Sequence, residues 1–163
     1  MKNEMKIEFD AIALNEGFAR VAVAAFISNM NPTLDEISDI KTAVSEAVTN
    51  AIIHGYENLY GYGKHGDVIP SEVTIHPGKV YMHCEIKEET LYIEIQDKGK
   101  GILDVEKAME PLYTTKPEYN RSGMGFAFME AFMDDLEVYS EPGKGTVVKM
   151  QKKIGVGAWI EAC

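Results

Sequence analysis

The sequence predicts an α+β fold: a two-layer sandwich with helices laid on a mixed, mostly antiparallel sheet. Three observations carry this reading. Amphipathic helical patterns come twice early and once late in the chain. The segments with period-two alternation pair through short turns, as hairpins do. Helices and strands do not alternate with the regularity that a Rossmann arrangement requires.

Met5, Ile7, Phe9 and Ala11 alternate with Lys6, Glu8 and Asp10, the pattern of a half-buried strand. Asn15 then stands where a helix cap is expected, ahead of a stripe of Phe18, Val21, Ala22, Ala25, Phe26 and Met30. Asn31-Pro32 breaks that helix. Thr33 and Glu36 have capping-box spacing and open a long helix to about His54, closed by Gly55. Its core stripe is Ile37, Ile40, Val44, Val48 and Ala51. Glu46, Asn50 and His54 follow one another at single-turn spacing on roughly the opposite face, with Ala43 and Ala47 making the surface beside them shallow.

Residues 57–79 are rich in Gly and Pro and read as a loop, with a short strand at Glu72 to Ile75. Val80 to Lys87 and Leu91 to Asp97 form a hairpin that turns at Glu88-Glu89-Thr90. A short helix is expected near Val105 to Met109 and an amphipathic one from Gly123 to Met133. Leu136 to Ser140 and Thr146 to Lys152 close the domain as a hairpin about Pro142-Gly143-Lys144-Gly145. The domain spans 1–153, and 154–163 is a weakly patterned tail.

A chain of 163 residues suits one domain with its own core. The formal net charge of −10 argues against direct nucleic-acid binding, which needs clustered Lys and Arg. A triphosphate remains compatible, because a few local cations, backbone N–H groups and a metal suffice to hold it. No apolar run is long enough for a membrane span, and the first ten residues lack the apolar block of a signal peptide, so a cytoplasmic protein is expected. Cys84 and Cys163 show no metal or redox spacing and read as reduced thiols.

The functional signal is a combination. Asp97-Lys98-Gly99-Lys100-Gly101 and Ser122-Gly123-Met124-Gly125 are glycine-rich turns bracketing a polar segment, and Glu46 and Asn50 share a helix face. Strict alternation puts Asp97 on the same face as Leu91, Ile93 and Ile95, where an unpaired carboxylate is costly and a bound amine such as that of adenine would serve as partner. Taken singly, each feature has an ordinary reading: a turn aspartate, a simple Gly-x-Gly turn, a solvent-facing Glu or Asn. Together they fit an ATP and magnesium site. There is no Gly-x-x-x-x-Gly-Lys-Ser/Thr, so the site is not a P-loop.

These motifs resemble the Bergerat (GHKL) ATP-binding fold of histidine kinases, type II topoisomerases, heat-shock chaperones and mismatch-repair ATPases. Glu46 to Asn50 looks like its N box, Asp97 to Gly101 its G1 box, Ser122 to Gly125 its G2 box, and residues 102–121 its ATP lid. Phe18-Ala19-Arg20, the run from Val44 to Tyr56, Thr114-Thr115-Lys116-Pro117-Glu118 and Arg121 to Phe126 further resemble the anti-sigma-F factors of spore-forming bacteria. Residues 57–79 are longer than that family's pattern, and the tail is additional.

The resemblance implies an ATP-dependent serine protein kinase that also inhibits a sigma factor, acts as a homodimer and phosphorylates an anti-anti-sigma protein. It implies Glu46 as general base, Asn50 as the Mg²⁺ ligand and Asp97 as the acceptor for adenine. Gly99 and Gly101 would lie close to the base, and Thr146 would support it. Thr114 and Thr115 of the lid, with Arg121, Ser122, Gly123, Met124 and Gly125, would contact the nucleotide, and Arg20 would contact protein partners. A general-stress anti-sigma kinase of the same fold, an ATPase in which Glu46 activates water, a detached histidine-kinase catalytic domain and a binding protein with a dead nucleotide site are the alternatives. An acid at position 46 tilts the nucleophile towards a hydroxyl or water, and the intact Glu46, Asn50 and Asp97 argue against a dead site.

Overall fold

The structure, a computed structural model, describes residues 2–57, 77–111 and 125–155. The expected strand at 72–75, most of the 57–79 loop, the lid residues 112–121 and the tail beyond 155 lie outside the described residues.

Among the described residues, five strands form one sheet in the order β1-β2-β3-β5-β4, with β1 Lys2–Asp10, β2 Lys79–Lys87, β3 Thr90–Asp97, β4 Asp135–Glu141 and β5 Gly145–Lys153. All four strand pairings are antiparallel. The β2–β3 hairpin turns at Glu88-Glu89, with Glu88 at φ 55°, so Thr90 is the first residue of β3 rather than part of the turn. Alternation decides which side chains meet the helices. Val80, Met82, Cys84 and Ile86 of β2 and Leu91, Ile93 and Ile95 of β3 are buried, while their odd-numbered or even-numbered neighbours face outward. Burial also pushes the Cys84 thiol up to about 12, so it stays a protonated core residue.

The covered face carries α1 (Leu14–Phe26), α2 (Leu34–Asn50) and α4 (Gly125–Phe132), while α3 (Val105–Ala108) lies in the segment after β3. Helix α2 is central and packs against both α1 and α4. Its inward stripe of Ile40, Val44, Val48 and Ala51 is buried as the sequence predicts, with Ile37 partly buried at its start. The capping box is present: Thr33 Oγ1 accepts from the Glu36 N–H at 3.1 Å and Glu36 Oε2 accepts from the Thr33 N–H at 2.8 Å.

Two local expectations differ. Helix α1 begins at Leu14 with Ala13 already in the α region, and Asn15 donates its side-chain amide to the Asp10 carbonyl at 2.9 Å instead of capping. Its core face is Ala19, Val23 and Ile27. Phe18 and Val21 of the predicted stripe are 50% and 64% exposed, although the Phe18 ring still meets Phe9 edge-on at 5.9 Å. The buried face of α1 is the one that packs against α2, and Phe18 and Val21 lie to its flank. The second difference is at the end of α2. The α-helix stops at Asn50 and continues as a π-helical turn, Ala51–Gly55, sealed by the Tyr56 N–H on the Ala51 carbonyl at 3.0 Å.

The chain beyond β5 remains tied to this core. Ile154 is buried and donates its N–H to the Glu89 carbonyl, and the Gly155 N–H meets Glu36 Oε1 at 3.1 Å. Glu36 thus serves both the cap of α2 and the chain after β5. Thr33→Ala removes the side-chain acceptor of the cap and is expected to cost about 1 kcal/mol. Thermal unfolding should show a melting point lower by roughly 2–4 °C for a domain of this size; an unchanged midpoint would mean that the cap contributes nothing net.

Candidate functional site

The carboxylate at the inward end of β3 organises the site. Asp97 is 5% exposed and stands opposite Thr146 in the β3–β5 register. Gly99 donates its N–H to Asp97 Oδ1 at 2.9 Å, and the Thr146 backbone also bonds to the carboxylate. Desolvation outweighs these two bonds and pushes the Asp97 carboxyl up to about 6. A carboxylate can accept about four hydrogen bonds, so capacity remains for a donor arriving from the cavity.

Close backbone approaches make room for this group. A Cβ on Gly55 would sit 2.8 Å from Asp97 Cγ, and one on Gly99 only 2.1 Å from the Gly55 carbonyl oxygen. Neither position admits a side chain without moving the end of α2 away from β3. The Lys100 N–H closes the same contact by donating to the Gly55 carbonyl at 2.9 Å. Behind it, Ser140 Oγ accepts from the Ile102 N–H at 2.7 Å and lies 2.9 Å from Thr146 Oγ1, which fixes the rim of the turn to β4 and β5.

The acid and amide of α2 meet the start of α4. A Cβ on Gly125 would lie 3.1 Å from Glu46 Oε2 and 3.2 Å from Asn50 Nδ2. The first residue of α4 is therefore packed against both polar groups.

Between these two ends lies a cavity of about 610 Å³. Asn50, Asp97, Gly101, Gly125 and Thr146 all line it, together with apolar Ala47, Ala51, Ile95, Phe126 and Val148. The sequence thus named residues from α2, β3, α4 and β5 that the fold brings to one hollow. Glu46 stands at its edge through Gly125, and Gly99 supports Asp97 from behind. Arg20 is elsewhere: it lies on α1, pairs with Glu16 at 3.5 Å, and is not among the residues lining the cavity. Thr114, Thr115, Arg121, Ser122, Gly123 and Met124 lie outside the described residues.

Sequence reasoning passed over four polar residues of the lining: His54, Lys100, Asp104 and Lys107. The signal for His54 was present in its single-turn spacing from Asn50, but it reads equally well as a structural residue. Lys100 sits between two named glycines, with its ammonium 2.8 Å from Glu57 Oε1. Lys107 lies on α3, which Asp104 caps by accepting from the Lys107 N–H, and both residues line the wall.

The lining suits a flat heteroaromatic ring between apolar walls, read at one edge by a buried acceptor. It also fits the ion that such a site implies. Among the described residues no three His, Cys, Asp or Glu side chains gather in a cage. Mg²⁺ characteristically takes one or two protein oxygens and completes its shell with phosphate and water, and the Asn50 amide on the cavity wall can supply one.

Comparison with known proteins agrees with this architecture. The profile of the Histidine kinase-like ATPase domain matches residues 10–152. An anti-sigma F factor of Clostridium botulinum (strain Eklund 17B / Type B) is 56% identical over 95% of this chain and 97% of its own length. The anti-sigma F factor of Bacillus subtilis (strain 168) is 49% identical over 94% of each chain. Among solved structures, the RsbU and RsbW domains of Rv1364c from Mycobacterium tuberculosis superpose with a TM-score of 0.61 at 16% identity, covering 93% of this chain and 32% of that one. That likeness concerns the fold alone. By its match over nearly all its length, the chain belongs to the anti-sigma F factor family, built on the histidine kinase-like ATPase domain.

Proposed function

We propose that the protein is an ATP-dependent serine protein kinase that also binds and inhibits a sigma factor of the sigma-F type. Its phosphate acceptor is a serine on an anti-anti-sigma protein, which phosphorylation inactivates, and the working unit is a homodimer. The observation that carries the chemistry is the cavity with a buried Asp97 at one end and Glu46 and Asn50 at the other. The relatives named anti-sigma F factor support the choice of partner.

In this reading Asp97 accepts a hydrogen bond from the exocyclic amine of adenine, and Ile95 and Val148 bound the ring. The phosphates extend towards the start of α4, where Glu46 and Asn50 lie and where backbone N–H groups favour anions. Lys100 and Lys107 on the wall add positive charge. The Asn50 amide oxygen would hold Mg²⁺, which would supply charge neutralisation on the phosphates. The serine hydroxyl attacks the γ-phosphorus while Glu46 takes its proton; the bond to the β–γ bridging oxygen breaks and ADP leaves. Phosphoryl transfer asks for positioning and charge stabilisation more than covalent help, so one oriented carboxylate is sufficient protein base. Thr114, Thr115, Arg121, Ser122, Gly123 and Met124 complete the nucleotide contacts from the lid and the turn that follows it.

The direct test is γ-labelled ATP and Mg²⁺ with the anti-anti-sigma protein. Acid-stable label on an acceptor serine is the expected result; free phosphate without labelled acceptor would favour an ATPase. Glu46→Gln should slow transfer by about 100- to 10,000-fold while largely sparing ATP affinity, and full activity in that variant would remove Glu46 as the base.

The pH dependence follows from Asp97. Its folded carboxyl titrates near 6 against an ordinary 3.8, so this group lowers the stability of the free protein as pH rises through that window. An amine donor prefers the ionised form and offsets that cost. ATP affinity should therefore rise as the solution passes from about pH 5 to pH 7, and the Asp97→Asn variant should lack this component of the profile. Calorimetric titration of both proteins across the range checks it; parallel profiles would sink the adenine assignment. Arg20, half-exposed on α1, is the proposed partner contact, and Arg20→Glu should weaken sigma-factor pull-down without changing ATP affinity.

A further inference from the structure

The turn that presents Asp97 is held by three consecutive backbone N–H groups, each with a different acceptor. Lys98 donates to the Tyr56 hydroxyl at 2.7 Å, Gly99 to Asp97 Oδ1 at 2.9 Å and Lys100 to the Gly55 carbonyl at 2.9 Å. Two of the three acceptors belong to residues 55 and 56, immediately after or at the end of the π-helical turn. The Tyr56 hydroxyl also donates onward to the Lys79 carbonyl at 2.6 Å, at the first residue of β2. It therefore joins the starting end of β2 to the finishing end of β3.

The surroundings of the ring are built to keep it there. Gly78 has φ +83°, and a Cβ on it would lie 2.6 Å from Tyr56 Cε1, so the ring rests against bare backbone. Burial and the neighbouring Asp97 charge hold the phenol above its ordinary range, which keeps the proton needed for the bond to Lys79. The π-helical turn supplies the reach. Its wider ring sets Gly55 beneath Asp97 and Tyr56 beside Lys98 in successive positions. A π turn is rarely retained without a functional reason.

We propose that Tyr56 is a positioning residue for base recognition: its hydroxyl fixes the turn from Asp97 to Gly101 and so sets the preference for adenine over guanine. The proposal rests on the reading of Asp97 as the adenine acceptor. A carboxylate fixed in direction attracts the amino group of adenine and repels the carbonyl oxygen that guanine carries at the same place. A turn that can relax lets the carboxylate swing from either, and the discrimination falls although the cavity persists.

The test compares ATP and GTP dissociation constants for the wild-type protein, Tyr56→Phe, Asp97→Asn and Tyr81→Phe. Tyr81 is a second tyrosine near the turn, whose ring meets the Lys98 ammonium at 4.8 Å, and it serves as the control. Tyr56→Phe keeps the ring, removes both hydrogen bonds of the hydroxyl, and should reduce the ATP-to-GTP preference roughly tenfold. Tyr81→Phe should leave it within twofold. General destabilisation lowers both affinities together and does not move the ratio. A Tyr56→Phe ratio within twofold of wild type, alongside an Asp97→Asn ratio that collapses, overturns the role of Tyr56 and leaves Asp97 standing. A wild-type protein that does not prefer ATP, or binds neither nucleotide, overturns the Asp97 reading and this proposal with it.

Discussion

A carboxylate buried at the end of an apolar strand face is the constraint around which this domain is arranged. Asp97 occupies the inward register position of β3 after Leu91, Ile93 and Ile95, in line with three buried hydrophobic residues. Taking that charge out of water is unfavourable, and the surrounding chain is shaped to limit the cost. The Gly99 and Thr146 N–H groups point at it, and Gly55 brings the end of α2 against it without a side chain. Two N–H donors do not restore what water would give, so the carboxyl remains raised to about 6. A residue kept in this state stores unfavourable energy that a donor from the cavity can release. That is why the same group reads as a binding determinant rather than as a core defect.

The second organising element is α2 with its π-helical continuation. Glu46 and Asn50 face α4, and Gly55 and Tyr56 hold the turn of Asp97. Glu46 lies on the last turns of the α-helix and Gly55 at the end of its π-helical continuation. The proposed base-reading end and phosphate end are thus fixed relative to one another by a single packed helix, buried between α1, α4 and the sheet. The precision demanded by phosphoryl transfer is supplied by packing rather than by many direct contacts. Small residues on this helix have a double use. Ala47 is nearly fully buried and still lines the cavity, because Ala leaves depth for a ligand while closing against α4.

How far the sequence discloses this depends on how local each signal is. The inward position of Asp97 follows from period-two alternation, and the capping box at Thr33 from a three-residue spacing; both are local, and both appear in the structure as read. The burial face of α1 does not follow, because apolar residues lie on both sides of the helix and tertiary packing buries Ala19 and Val23 while leaving Phe18 and Val21 half exposed or more. The π turn at Ala51–Gly55 is likewise invisible, since the apolar run Ala51-Ile52-Ile53 suits an α-helix equally well. Tyr56 gives no periodic signal at all. Its role arises from hydrogen bonds to residues 79 and 98, set by tertiary structure alone. Lys107 is brought to the cavity by the path of the chain after β3, which no spacing encodes.

The proposed partner residue Arg20 and the proposed catalytic base Glu46 are connected in the fold by a short run of side-chain contacts. Ser45 donates its hydroxyl to Glu16 of α1, and Glu16 also pairs with Arg20. The next residue, Glu46, turns about 100° around the helix and meets Gly125 at the start of α4. Successive residues of α2 therefore touch the two elements that the proposed function assigns to partner binding and to phosphoryl transfer. An acidic partner group that took Arg20 would remove one of the two donors Glu16 now serves, leaving Ser45 as the other. The exchange would act on α2 one residue from Glu46, through a buried helix that cannot deform without moving its neighbours. The proposed partner residue on α1 and the proposed base on α2 are thus linked through Glu16 and Ser45, one residue from Glu46.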